Sequence, residues 1–132
     1  MSLVVDASLV VSALVDSGSV GAWAVDRLAE GALAAPHLLP VEVANVLRRA
    51  AIAGQLSEDA ATLAHEDLAN LRIDYFDYAP FAPRIWDLRG TVSAYGAWYV
   101  ALAEVIDAPL GTLDRKLASA PGPRCRFLLP GE

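Results

Sequence analysis

Short apolar runs alternate along the chain with longer segments whose apolar residues recur at helical spacing. The first run, residues 3–5, is apolar at every position, which is typical of a strand buried on both faces of a sheet. Further strands are predicted near residues 33–35, 72–77, 109–113 and 125–129. Helices are predicted over residues 9–15, 20–30, 40–53, 58–70, 81–89, 94–106 and 114–118. This alternation favours the α/β class, with a central parallel sheet and helices on both faces.

Several predicted helix starts carry capping signals. Ser8, Ser57 and Ser93 each stand where a hydroxyl can accept a hydrogen bond from the first turn of the following helix. Pro40 suits the first turn of its helix, because an N–H there has no partner within the helix.

The composition is that of a folded domain. Of the 132 residues, 55% are hydrophobic and 20% are charged, and this length suits a single domain over residues 1–132. The net charge of −6 argues against nucleic-acid binding through a broad basic surface. Any nucleic-acid activity then depends on a local site or on cations that offset carboxylates; alternatively, the acidic balance serves only solubility.

Few features bear on cellular location. Cys125 is the only cysteine, which excludes an internal disulfide and fits a reducing compartment. The first residues lack the basic start and cleavage site of a signal peptide, and no uninterrupted apolar run reaches membrane-spanning length. We therefore expect a soluble cytoplasmic protein with no membrane association.

Two aspartates follow predicted strands directly. Asp6 comes after the first strand and Asp114 after the strand near residues 109–113. If both strands are parallel members of one sheet, both carboxylates lie at the same edge, where open α/β sheets build their sites. Two close carboxylates repel unless one is protonated or a hard cation such as Mg²⁺ lies between them. The alternative is that each acid only caps the helix that follows; the pair together favours a site.

Four further residues are candidates for the same site. Glu42 lies in the first turn of the Pro40 helix among apolar neighbours, and Asn45, three residues on, can hydrogen-bond it. Ser8 and Thr112 each lie two residues from an acid, so their hydroxyls can hold the carboxylates or a metal-bound water. Capping and turn formation are the competing roles for these hydroxyls.

Other chemistries have little support. His37 and His65 lack metal-ligand spacing, and the phosphate-binding glycine loops are absent. The basic pairs at 48–49 and 115–116 are interpreted as solvated surface rather than as phosphate contacts.

Four motifs, in order and over nearly the whole chain, resemble PIN-domain proteins and most of all VapC-type toxins. They are Val-Val-Asp6-Ala-Ser8, Pro40-x-Glu42-x-x-Asn45-x-Leu47-x-Arg49, Ser93-Ala-Tyr95-x-Ala97-x-Tyr99-x-Ala101-Leu-Ala103-Glu104 and Thr112-x-Asp114-x-x-Leu117. The resemblance implies a PIN-like three-layer α/β/α sandwich with a central parallel sheet. It implies an endoribonuclease dependent on Mg²⁺ or Mn²⁺ that cuts tRNA or rRNA, with Asp6, Glu42 and Asp114 as metal ligands and catalytic acids. It also implies a homodimer inhibited by a cognate antitoxin, through which operator DNA is bound.

One position departs from the family pattern. Where PIN domains of this type carry an aspartate, directly after Tyr95, this chain carries Gly96, which has no side chain to bind metal. The glycine belongs to an inactive or altered natural member, or it is an inactivating substitution in a toxic nuclease; we favour the second because the other acids are present. The sequence therefore predicts a nuclease with a weakened metal site.

Two alternative functions stay open. The first is a catalytically silent PIN scaffold that binds an antitoxin and, through it, operator DNA. The second, less favoured, is a phosphatase or phosphotransferase with an aspartate at a strand end. Asp6-Ala7-Ser8 lacks the second aspartate that many such enzymes carry two residues on, and Lys116, the only lysine, is poorly placed for them.

Overall fold

A computed structural model describes residues 1–131 and contains one five-stranded sheet in which every strand is parallel to its neighbours. The strands are β1 (Ser2–Val5), β2 (Ala32–Pro36), β3 (Ile73–Phe76), β4 (Leu110–Gly111) and β5 (Phe127–Leu128), in the order β3-β2-β1-β4-β5. The helices are α1 (Ala7–Val15), α2 (Ser19–Leu28), α3 (Leu39–Ile52), α4 (Glu58–Asn70), α5 (Ala82–Asp87), α6 (Ala94–Ile106) and α7 (Arg115–Ser119), with a 3₁₀ turn at Ala79–Phe81. The predicted three-layer α/β/α sandwich is confirmed.

β1 lies at the centre of the sheet, which explains its uniformly apolar sequence. Val4 pairs with Ala34 of β2 on one side and with Leu110 of β4 on the other. Gly111 lets α1 approach closely here, because a Cβ at this position would lie 2.7 Å from Leu9 Cδ1. The ends of β1 and β4 therefore lie side by side, at the edge where both predicted aspartates follow.

α6 is the most deeply buried helix in the part of the chain that the structure describes. Six of its residues are buried, and four of them, Ala97, Val100, Ala101 and Leu102, are fully buried. The predicted Ser93 cap is confirmed, because Ser93 Oγ accepts a hydrogen bond from the Gly96 N–H at 3.3 Å. The helix ends at Asp107, which adopts the left-handed conformation with φ of 51°. Gly96 lies in the first turn of this helix and is partly exposed.

Two helix predictions were wrong in their bounds. α1 begins at Ala7, and its cap is Asp6 rather than Ser8. The helix predicted over residues 81–89 is the six-residue α5, which follows the 3₁₀ turn at Ala79–Phe81; Pro83 has no N–H to donate and therefore suits the first turn of α5. Within residues 1–131 no single helix is long and apolar enough to cross a membrane; α1 and α2 together meet that test by length and composition, but they are bent by 113°.

A bidentate ion pair ties α5 to α6. Arg84 Nε and Nη2 donate to the Glu104 carboxylate at 2.8 and 3.1 Å, and the Arg124 N–H donates to it at 2.8 Å. Burial alone would raise the pKa of Glu104, but the hydrogen bonds from Arg84 and from the Arg124 backbone lower it. The pair thus holds the chain leading into β5 against α6.

Replacing Glu104 with glutamine is expected to lower the free energy of unfolding by about 2 kcal/mol at neutral pH, since hydrogen bonds to charged groups contribute roughly 1.5–3 kcal/mol each. The pKa of Glu104 is lowered by folding, so its contribution is present at neutral pH and is lost as the pH falls below its ordinary value. Urea unfolding at neutral and at acidic pH checks this. A difference between the two proteins that does not shrink in acid would contradict it.

Candidate functional site

Asp6 and Asp114 lie at the carboxyl ends of β1 and β4, and each caps the helix that follows. Asp6 Oδ1 accepts a hydrogen bond from the Leu9 N–H at 3.1 Å, and Asp114 Oδ1 accepts one from the Leu117 N–H at 3.0 Å. Capping occupies one oxygen of each carboxylate. The second oxygen of Asp114 accepts no hydrogen bond from residues 1–131. Capping and a shared site are therefore compatible roles for these acids.

Ser8 and Thr112 hold the Asp6 carboxylate and connect the two aspartate-bearing turns. Ser8 Oγ donates to Asp6 Oδ1 at 2.7 Å, and Thr112 Oγ1 donates to Asp6 Oδ2. Ser8 Oγ also accepts a hydrogen bond from the Leu113 N–H of the opposite turn at 3.0 Å, and Thr112 Oγ1 accepts one from the Asp114 N–H of its own turn at 2.9 Å. These bonds fix Asp6 and Asp114 relative to one another.

Asp6 is buried, and only 8% of the residue is exposed. Burial raises its pKa, the hydrogen bonds from Ser8, Thr112 and Leu9 lower it, and the charge of Asp114 raises it; the net change is upward. The negative charge of an ionised Asp6 is therefore not fully compensated by the groups around it in this structure.

Glu42 lies in the first turn of α3 and is half-buried. Burial raises its pKa, the hydrogen bond from Tyr99 lowers it and the charge of Asp6 raises it, with a net upward change. The hydrogen bond comes from Tyr99 Oη on α6, at 2.6 Å from Glu42 Oε1. Asn45, the predicted partner of Glu42, is exposed, lies outside the cleft, and makes no side-chain hydrogen bond to Glu42. Tyr99 occupies the role that was predicted for Asn45.

One cleft of about 440 Å³ contains all these acids and position 96. It is lined by Asp6, Ala7, Ser8, Glu42, Thr91, Val92, Ser93, Tyr95, Gly96, Tyr99, Asp114, Lys116, Leu117 and Ala120. A Cβ built on Gly96 would lie 3.1 Å from Leu117 Cδ1 and 3.2 Å from Val92 Cγ1. Both are ends of side chains, so shifts of a few tenths of an ångström would admit a Cβ at this position.

The oxygen atoms in the cleft are of the kind that binds a hard divalent cation, but too few of them lie close together. Every candidate ligand is a carboxylate or hydroxyl oxygen, the kind that Mg²⁺ and Mn²⁺ prefer. Asp6 interacts electrostatically with both Asp114 and Glu42. Even so, within residues 1–131 no three His, Cys, Asp or Glu side chains come close enough together to form a ready metal cluster. An acid at position 96 would add a fourth carboxylate to this cleft, beside those of Asp6, Glu42 and Asp114.

The other ionisable residues considered as functional candidates lie outside the cleft or already have hydrogen-bond partners, with the exception of Lys116. His37 pairs with Asp77 at 3.1 Å, and His65 lines a different groove, between α3 and α4. Arg115 donates to the Pro130 carbonyl at 2.6 Å. Lys116 contributes a basic side chain to the lining of the cleft.

The match to known families covers most of the chain. The PIN domain family matches residues 3–123. This chain belongs to the PIN-domain family. It is 42% identical to Ribonuclease VapC1 of Mycobacterium tuberculosis over 130 residues, which cover 96% of each chain, and this places it among the VapC-type members.

Two solved structures share the fold. The structure of PAE2754 from Pyrobaculum aerophilum has a TM-score of 0.73 at 22% identity and covers 96% of this chain and 83% of its own. The structure of VapBC2 from Rickettsia felis, bound to a DNA fragment from its promoter, has a TM-score of 0.68 at 14% identity and covers 98% of each chain. At these identities the likeness concerns the fold, and it supports the PIN architecture of the sandwich.

Proposed function

We propose that this chain is the toxin of a toxin–antitoxin pair, with the active site of a metal-dependent endoribonuclease whose set of acids is incomplete. The observation that carries the proposal is that Asp6, Glu42, Asp114 and position 96 line one cleft in a VapC-type PIN domain. The name of the relative VapC1 supports ribonuclease activity. RNA of the tRNA or rRNA class is the proposed substrate.

Asp6, Asp114 and Glu42 would hold Mg²⁺ or Mn²⁺ in this cleft. When bound, such a cation activates water and stabilises the charge that develops on a phosphate during cleavage. Ser8 and Thr112 hold the Asp6 carboxylate in a fixed orientation, and Asn45 does not share this task. Glu42 serves as a ligand or orients the attacking water. Lys116 also lines the cleft and would contact a phosphate of the RNA.

In this proposal Gly96 weakens the site, because glycine has no carboxylate to offer a cation. The helix start that would carry the acid is intact: Ser93 still caps α6, and the Gly96 N–H is the group that it binds. An aspartate at this third helical position would also interact favourably with the helix dipole. The intact cap and the favourable dipole support the proposal that an acid at this position would be tolerated by the helix.

Induced expression of the Gly96→Asp variant in a bacterial host is expected to arrest growth, whereas the present chain and Gly96→Ala are tolerated. The alanine variant introduces the same Cβ without a carboxylate, so it controls for changes in packing. Soluble, folded Gly96→Asp protein that leaves growth unchanged would overturn the toxin assignment.

The missing acid favours one second candidate, a catalytically silent scaffold for an antitoxin. The Rickettsia felis VapBC2 complex on promoter DNA supports an antitoxin that links this kind of fold to DNA. The net charge of −6 suits a basic antitoxin segment. Co-expression with a candidate antitoxin separates the two functions: a scaffold co-purifies with the antitoxin, while the Gly96→Asp variant still cleaves no RNA. The homodimer that the resemblance implies stays a prediction.

A further inference from the structure

Glu42 is poorly constrained by its own helix. It lies in the first turn of α3, whose cap residue Leu38 makes no side-chain hydrogen bond to the helix. Its neighbour Val41 is 65% exposed, so solvent is within easy reach of this turn. A glutamate has three rotatable side-chain bonds, and fixing them costs conformational entropy. Nothing local to α3 therefore keeps this carboxylate directed into the cleft.

Tyr99 supplies that constraint from a different element. Its side chain is 3% exposed and is enclosed by the core at the middle of α6. Its hydroxyl donates to Glu42 Oε1 at 2.6 Å, a distance typical of a hydrogen bond to a carboxylate. The donor is rigid because a buried tyrosine ring is fixed by packing, and its hydroxyl requires a partner in this setting.

The hydrogen bond uses only one of the two Glu42 oxygens. Within residues 1–131 no group donates to Glu42 Oε2, so this oxygen is available to a cation or to water. Tyr99 also lies one helical turn beyond position 96, and both line the cleft. One face of α6 thus carries both the position of the missing acid and the group that holds the acid from α3.

We propose that Tyr99 is a positioning residue of the nuclease site, which holds Glu42 through Oε1 and presents Oε2 to the bound cation. This inference rests on the proposed function. The competing role for Tyr99 is packing alone, in which the ring fills the core and the hydroxyl merely finds an acceptor. The two roles differ in what loss of the hydroxyl does to metal binding.

The test compares Tyr99→Phe with Tyr78→Phe, both made in the Gly96→Asp protein. Tyr78 is 45% exposed, lies outside the cleft and packs edge-on against Trp98, so its variant controls for loss of a tyrosine hydroxyl. Calorimetric titration with Mn²⁺ is expected to show affinity about tenfold weaker for Tyr99→Phe, since residues that orient metal ligands contribute roughly 10–100-fold. Tyr78→Phe is expected to match its parent within about twofold, which is the scatter expected for a surface change.

A double variant separates positioning from packing. If Tyr99 acts through Glu42, adding Tyr99→Phe to Glu42→Ala changes Mn²⁺ affinity by no more than about twofold, because the coupled residue is already gone. The inference is overturned if Tyr99→Phe weakens Mn²⁺ affinity tenfold both with Glu42 and with Glu42→Ala, or if it weakens affinity in neither. In either case, RNA cleavage by the Gly96→Asp parent would leave the proposed function standing. A parent that neither binds Mn²⁺ nor cleaves RNA overturns both.

Discussion

Replacing Gly96 with aspartate is expected to raise magnesium-dependent RNA cleavage by about 100-fold or more. A catalytic metal contributes several kcal/mol to transition-state stabilisation, and each ~1.4 kcal/mol changes a rate tenfold. The new side chain would enter the cleft that Asp6, Glu42 and Asp114 already line. Displacing Leu117 Cδ1 and Val92 Cγ1 slightly is the only repacking that the Cβ requires among the described residues. Cleavage of a labelled RNA with and without Mg²⁺ measures the change.

Gly96→Asn is the matched control for this prediction. Asparagine has nearly the shape of aspartate and the same capping capacity, but it carries no charge. It should therefore show the activity of the present chain at every Mg²⁺ concentration. Equal activity in the asparagine and aspartate variants would mean that side-chain volume, rather than a carboxylate ligand, limits this site. A present chain that is already as active as Gly96→Asp would show that the site is complete without an acid at this position.

Asp6→Asn is expected to have opposite effects on cleavage and on stability. In the Gly96→Asp background it should reduce cleavage by about 100-fold or more, because Asp6 is the acid at the end of the central strand and would bind the cation directly. In the chain with Gly96 and without metal, Asp6→Asn should raise the free energy of unfolding by about 1 kcal/mol. Substitutions that relieve an unfavourable functional site commonly stabilise proteins by this amount. The reason is that Asp6 is buried and its pKa is raised above the ordinary value.

The pH dependence follows from the sign of that shift. With its pKa raised by folding, Asp6 binds protons more readily in the native state than in the unfolded state. Its contribution therefore favours the folded chain in acid and is lost as the pH rises through the raised value. Urea unfolding in EDTA across this range should show the gain from Asp6→Asn growing with pH. A variant that is less stable than its parent at neutral pH would indicate that the hydrogen bonds to Asp6 outweigh its burial.

The bounds of a helix could be predicted closely where the sequence offers one clear capping residue and no competing one. Residues 94–106 were predicted as a helix with a Ser93 cap, and α6 has those bounds. At α1 two capping residues compete only two positions apart, and the first of them, Asp6, is the cap. The strands near residues 109–113 and 125–129 are two residues long in the structure, because only those residues pair in the sheet. Their apolar flanks carry no signal that distinguishes pairing from simple burial.

The part of the site that could be predicted consists of acids that directly follow a strand or lie in the first turn of a helix. Asp6 and Asp114 follow adjacent strands, and Glu42 lies in the first turn of a largely apolar helix, so their common location was accessible to pattern reasoning. The partner of Glu42 was not. Asn45 is near in sequence, whereas Tyr99 is 57 residues away and meets Glu42 only when α3 and α6 pack at one edge. The available signal was a tyrosine amid alanines in a buried helix, since its hydroxyl must find an acceptor. The roles of these acids as metal ligands stay predictions.

The most direct test of the metal site is anomalous diffraction at the manganese edge from crystals of the Gly96→Asp protein soaked in Mn²⁺. A single cleft that holds a hard cation through carboxylates predicts an anomalous peak within coordination distance, about 2.1–2.5 Å, of oxygens of Asp6 and Asp114. Crystals of the present chain, soaked in the same way, should show a weaker peak or none. A strong peak elsewhere on the molecule, or no peak in this cleft in the Gly96→Asp crystals, would contradict the proposed metal site.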